Sequence, residues 1–205
     1  MKKRIIIGII ILIVGVVGII SGIKIANKEK ECNQSALKFK KEYESYNNEE
    51  IKYQYKKYKL SKLTISDNNP MKSLNEKEII NKLTNTTGVI MFTSPIDYIS
   101  REMIKVLLEI APSFDCDTIY YYDIDELNNE ELVNEIKKKL DVENLVNGTI
   151  IFVKEGKVSQ LQVGITKEYK YGKKISETQK KELSRTLKNG FNSISGGMCE
   201  REKQC

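Results

Sequence analysis

Four cysteines and no histidine bound the chemistry open to this 205-residue chain. Without an imidazole there is no Ser-His-Asp or Cys-His mechanism, no histidine-ligated zinc or haem, and no histidine pH switch. Thiols and carboxylates remain. Cys199 and Cys205 stand six positions apart, after Gly196 and Gly197. That spacing permits a short-loop disulfide that clips the tail, or an exposed redox pair. Cys116, between Asp115 and Asp117 and ahead of an apolar run, reads as a semi-buried thiol. Cys32 begins the series Cys32, Ala36, Phe39, Tyr43, Tyr46, whose steps of four and three make a heptad seam. An intermolecular Cys32–Cys32 bridge is the sharper expectation there. Asp123, Asp125 and Glu126 lack the twelve-residue loop, central glycine and late glutamate of a calcium site, and read as a solvated loop. No metal and no cofactor is expected.

The segments that carry these residues divide the chain. Residues 5–23 contain no charge, and at 1.5 Å per residue they span about 28 Å, close to a hydrocarbon core. They read as one transmembrane helix through the lipid bilayer. The run is longer than the apolar region of a cleaved signal peptide, which is the rival reading. Lys2, Lys3 and Arg4 carry three of the six net positive charges, against interleaved lysines and glutamates after the span. The bias places residues 1–4 in the cytoplasm and the rest outside the cell, as a single-pass membrane protein. The remaining body is mildly basic and evenly mixed, which gives no nucleic-acid stripe.

Residues 24–50 read as a juxtamembrane helix or stalk. Extended backwards, its seam meets Gly22 and Gly18, a small-xxx-small pair that lets membrane helices approach closely. Two readings stay open: a helix packed on its own domain, and a homodimer through the stalk. Residues 51–192 form the main domain, and 193–205 a flexible cysteine-bearing tail. Tyr53, Tyr55 and Tyr58 alternate with polar residues, as in a strand with one buried face rather than a base-stacking platform. Ser66 to Pro70 is a breaker cluster. Ser73, with Glu76 three residues on, predicts a capped helix through Leu83. Then follow a strand at Val89–Thr93, a helix at Ile99–Ala111, a strand at Thr118–Tyr122 and a helix at Glu130–Leu140. A hairpin of Thr149–Val153 with Lys157–Val163 and a helix at Ser176–Phe191 complete the order α-β-α-β-α-β-β-α. Strands alternating with helices predict an α/β fold with a mixed sheet and flanking helices.

Certain stretches within that order resemble the thioredoxin-like superfamily. Val89-Ile90-Met91-Phe92 resembles the strand before the redox motif, and Ser94-Pro95 the step ahead of it. Tyr120 to Asp125 resembles the strand that ends in Asp-x-Asp. Thr149 to Lys157 resembles the Thr-apolar-Phe-x-Lys-x-Gly-Lys hairpin. The resemblance covers Ser73 to Phe191, with Tyr53–Ile65 as a candidate first strand. It points to membrane-anchored proteins of Gram-positive bacteria, including bacteriocin transport accessory proteins. In the redox members a Cys-x-x-Cys opens the helix, and a low-pKa thiolate there attacks disulfides. Here those positions read Asp97, Tyr98, Ile99 and Ser100, and Gly148 stands where the family has a cis-proline before the Thr149 strand. The resemblance therefore implies a scaffold without its redox centre. Its expected role is a binding, accessory or chaperone-like module that meets an unknown protein partner or client around Asp97–Ser100 and Gly148–Thr149. The alternative is an atypical thiol-disulfide oxidoreductase using Cys199/Cys205 or Cys116.

Overall fold

A computed structural model of the chain describes residues 34–114 and 116–195. The first element, α1, spans residues 34–45. A two-stranded hairpin follows, β1 (Glu50–Tyr53) with β2 (Lys56–Lys59). Then come β3 (Met71–Ser73), α2 (Glu76–Asn85), β4 (Gly88–Phe92), α3 (Tyr98–Ile110) and β5 (Ile119–Tyr122). The chain ends with α4 (Glu130–Leu140), β6 (Thr149–Lys154), β7 (Lys157–Val163) and α5 (Glu177–Ile194).

Five strands form one mixed sheet in the order β3-β5-β4-β6-β7. The neighbours β3/β5 and β5/β4 are parallel, while β4/β6 and β6/β7 are antiparallel. The central strands are apolar on both faces because helices cover both. Val89, Met91, Ile119, Tyr121, Ile150 and Phe152 face the α1, α3 and α5 side, against Phe39, Leu107, Leu187 and Phe191. The alternate residues Ile90, Phe92, Tyr120, Ile151 and Val153 face α2 and α4, against Ile79, Leu83, Ile136 and Leu140. Each fully buried side chain of this size contributes about 1.5–3 kcal/mol. Helix α5 lies unusually close to β6. A Cβ on its Gly190 would fall 2.3 Å from the Phe152 ring, so only glycine allows this packing.

Three expectations change. Ser73 does not cap a helix, because it ends β3 and pairs with Tyr121. The cap is Asn75, whose side chain accepts from Glu78 N–H while the Glu78 carboxylate accepts from Asn75 N–H. Both sites offer a polar residue three before a glutamate or nearby acid, and strand pairing decides between them. Tyr53–Ile65 is not the first strand of the sheet. The chain reverses at Gln54 and Tyr55, both at positive φ, and β1 pairs only with β2. Tyr53 and Tyr55 are exposed rather than facing a core. The packed unit also reaches back beyond residue 51. Ala36, Phe39 and Tyr43 of the heptad seam are buried, and the Phe39 ring meets Tyr121 edge-on at 4.8 Å. These seam residues pack on their own domain. Cys32 and the proposed span at 5–23 lie outside the described residues, among which no helix is long and apolar enough to cross a membrane.

Candidate functional site

Strand β4 delivers the chain to a tight turn at Ser94-Pro95-Ile96, and α3 starts immediately after it. Asp97 is the N-cap, and its Oδ2 accepts the Ser100 N–H at 2.6 Å. This satisfies one of the donors that every helix start leaves open. Burial pushes the Asp97 carboxyl above the ordinary aspartate range, and its hydrogen bonds to Ser100 and Ile99 oppose the rise. The Ser100 hydroxyl is fully buried and lies 3.4 Å from Ser94 N–H, which points at it as donor.

The second half arrives from 50 residues away. Gly148 N–H donates to Phe92 O at 2.7 Å, and Gly148 O accepts from Gly164 N–H at 2.8 Å. These two bonds fix the loop beside the end of β4. Gly148 has φ +78°, and a Cβ there would fall 2.8 Å from Ile99 Cγ2. The sequence-predicted residues therefore meet: Ile99 of the α3 start rests on Gly148. No described peptide bond is cis. Thr149 is buried at the start of β6, and its hydroxyl donates to Val146 O.

Asp123 and Asp125 join the same edge. Asn147 Nδ2 donates to Asp123 Oδ1 at 2.8 Å and to Asp125 Oδ2 at 2.9 Å, and its Oδ1 accepts from Ile124 N–H. The cluster reads as a loop brace. Among the described residues, no group of acidic, cysteine or histidine side chains is placed to hold a metal ion.

Around this centre three apolar side chains are also exposed. Ile96, Val146 and Val163 are 47%, 42% and 50% exposed. Tyr98 packs inward, and its N–H donates to Tyr171 Oη at 3.4 Å. The Tyr171 ring stacks on Tyr53 at 4.0 Å and meets Tyr58 edge-on at 5.3 Å. These tyrosines fasten the β1–β2 hairpin beside the start of α3.

One residue had no signal in the sequence. Arg101 is fully buried in α3, with no carboxylate hydrogen-bonded to it among the described residues. Its Nη1 donates to Tyr43 O at 2.7 Å and Pro95 O at 2.9 Å. Its Nε and Nη2 donate to Ser61 O at 3.2 and 2.8 Å, and Nη2 also reaches Asn47 Oδ1 at 2.6 Å. All five N–H donors are used. Tyr43 O belongs to the last turn of α1, where carbonyls lack helical partners and a cation is favoured. Arg101 thus ties the end of α1, the 60–63 segment and the turn before α3 into one frame. An arginine in a first helical turn is ordinarily solvated, so only the fold reveals this role.

Of the four cysteines only Cys116 is among the described residues. Cys116 is buried, with its Sγ donating to Thr118 O at 3.4 Å. Cys199 and Cys205 lie outside the described residues. No protein-family model matches the chain, and no curated protein sequence does.

Proposed function

We propose that this chain is a membrane-anchored, extracytoplasmic domain of thioredoxin-like type that binds a protein partner and does not exchange disulfides. The strand order β3-β5-β4-β6-β7, with three parallel strands and an antiparallel hairpin, supports the thioredoxin-like part. The observation that carries the functional part is the meeting of Ile99 with Gly148. The helix start and the loop before β6 come together as they would around a redox centre, yet the polar groups present are the Asp97 carboxylate and the Ser100 hydroxyl. Both are already engaged with backbone, and neither can form a mixed disulfide. This edge leaves three apolar side chains exposed: Ile96, Val146 and Val163. Exposed apolar side chains gathered at one edge are the mark of a docking surface rather than of a reaction pocket.

The test uses the full chain in its membrane. A photo-crosslinking residue at position 96 or 146 is expected to capture the same partner, and one at position 135 on the outer face of α4 is not. Equal capture from all three positions would sink the reading. Insulin reduction by the full chain, above the protein-free rate and lost in Cys199→Ser or Cys116→Ser, would overturn the non-redox assignment. Protease accessibility in intact spheroplasts, compared with opened ones, reports which side of the membrane the domain occupies.

A further inference from the structure

We infer that the segment bound at this surface is apolar and basic, with lysine or arginine side chains flanking its apolar residues. The inference rests on the binding reading above and adds the chemistry of the partner. Three loops meet at this end of the sheet: two contribute carboxylates, and the third, before β6, holds two of them beside its apolar Val146. The turn before α3 presents Ile96 next to Asp97, one residue from the helix start on which Ile99 meets Gly148. The loop before β6 presents Val146 next to Asn147, and Asn147 holds Asp123 and Asp125 through its two amide hydrogens. The loop after β5 thereby brings exposed Asp125 beside the Val146–Asn147 step, with exposed Glu126 next to it in sequence.

None of Asp97, Asp123, Asp125 and Glu126 takes part in an ion pair among the described residues. Their hydrogen bonds go to backbone N–H groups and to one neutral amide. No described cation lies in direct contact with them. The electrostatics agree. After burial, which raises the Asp97 carboxyl, the Asp125 charge raises it further against the Ser100 hydrogen bonds. Burial also raises Glu42 on α1, with Lys38 opposing and Glu126 and Asp123 adding to the rise. Carboxylates thus run from Asp97 past Asp125, Asp123 and Glu126 to Glu42, where those charges add to the rise at Asp97 and at Glu42, on a chain whose net charge is +6. Such a local field attracts cations and repels acidic segments. An apolar patch bordered by carboxylates favours a partner with apolar anchors and the opposite charge.

The experiment uses the full chain in nanodiscs of zwitterionic lipid, with empty nanodiscs as the blank. Three fluorescent eleven-residue peptides serve as probes, each with leucine at alternate positions and lysine, serine or glutamate between. Fluorescence anisotropy reads the affinities. The lysine peptide is expected to bind about fivefold more tightly than the serine peptide at low salt, the scale of two or three exposed charge pairs. That preference is expected to vanish in 0.5 M NaCl, where charges are screened within a few ångströms. The variant Asp125→Asn/Glu126→Gln changes two exposed side chains and keeps an acceptor for Asn147. It should lose the lysine-over-serine preference and keep serine-peptide binding. Ile96→Ser/Val146→Ser should weaken all peptides alike. Equal affinity for the three peptides, or an unchanged lysine preference in the Asp125→Asn/Glu126→Gln variant, overturns the basic-segment inference and leaves the binding surface standing. Binding unaffected by Ile96→Ser/Val146→Ser overturns both.

Discussion

Replacing Arg101 with methionine removes the guanidinium and keeps a flexible apolar stem. Five hydrogen bonds disappear together. Asn47 Oδ1 keeps the Leu63 N–H donor at 2.8 Å, so the losses fall mainly on the carbonyls of Tyr43, Pro95 and Ser61. Each buried acceptor left unsatisfied costs about 1–3 kcal/mol. Against this, methionine escapes the desolvation that lowers the Arg101 pKa. The net loss expected is about 3–5 kcal/mol, the range for breaking a buried charged network. Arg101→Lys restores a charge but has three donors at one point, and cannot span four acceptors in three segments. It should cost about half as much. The assay is urea unfolding of the full chain in non-ionic detergent. Tyrosine fluorescence reports it, since the chain has 11 tyrosines and no tryptophan. A double-mutant cycle with Asn47→Ala should give a coupling above about 0.5 kcal/mol, because the two side chains share a hydrogen bond. A loss below about 1 kcal/mol for Arg101→Met, at unchanged slope against urea, would refute the view that this side chain frames α1 and the turn before α3.

Other expectations follow from the same geometry. Asp97→Ala should cost about 1 kcal/mol through loss of the cap, whereas Asn caps as well as Asp. Because the folded-state pKa of Asp97 is raised, the folded protein holds that proton to higher pH than the unfolded chain, and this contribution to stability falls as pH rises through the interval between the two values. The stability of Asp97→Asn relative to wild type should therefore increase from pH 3 to pH 7, and a difference that stays flat in urea midpoints would contradict the burial account. Gly148→Ala should cost about 2 kcal/mol from its left-handed backbone and the Ile99 contact, and the added change Ile99→Ala should recover only the contact's share. Gly190→Ala should destabilise by about 1–3 kcal/mol by wedging α5 off Phe152, although alanine is the better helix former. Thermal melts of these variants give the ranking.

The parts of the fold that could be read in advance are those with short-range causes. Glu130–Leu140 carries Asn129 as cap and a helical apolar period, and it forms α4 with those bounds. The Thr149–Val163 hairpin follows from β-branched runs around Glu155-Gly156, and both turn residues take positive φ. The helix read over Ser176–Phe191 forms as α5, and the structure adds that Ser176 is its cap with Gln179 reciprocating. The pairing of Asp97–Ser100 with Gly148 came only through a family resemblance, since no local rule joins positions 50 residues apart. Arg101 and Tyr171 carried no signal at all. A charged residue in a helix and a tyrosine in a lysine-rich loop both look solvated until the segments around them are placed.

Composition and spacing determined that histidine chemistry is absent, that helices alternate with strands, and where the apolar runs of those elements fall. Those properties depend on side-chain type and on periods of two and 3.6 residues, which the chain carries locally. The tertiary structure decided what the cores enclose and what the surface presents. It assigned Ala36, Phe39 and Tyr43 to the domain core and made β3, not the tyrosine-rich hairpin, the outer strand. It buried a guanidinium among carbonyls, and it brought Ile99 onto Gly148 beneath exposed Ile96 and Val146. Each depends on which distant segments share a neighbourhood, and strand order and burial settle that.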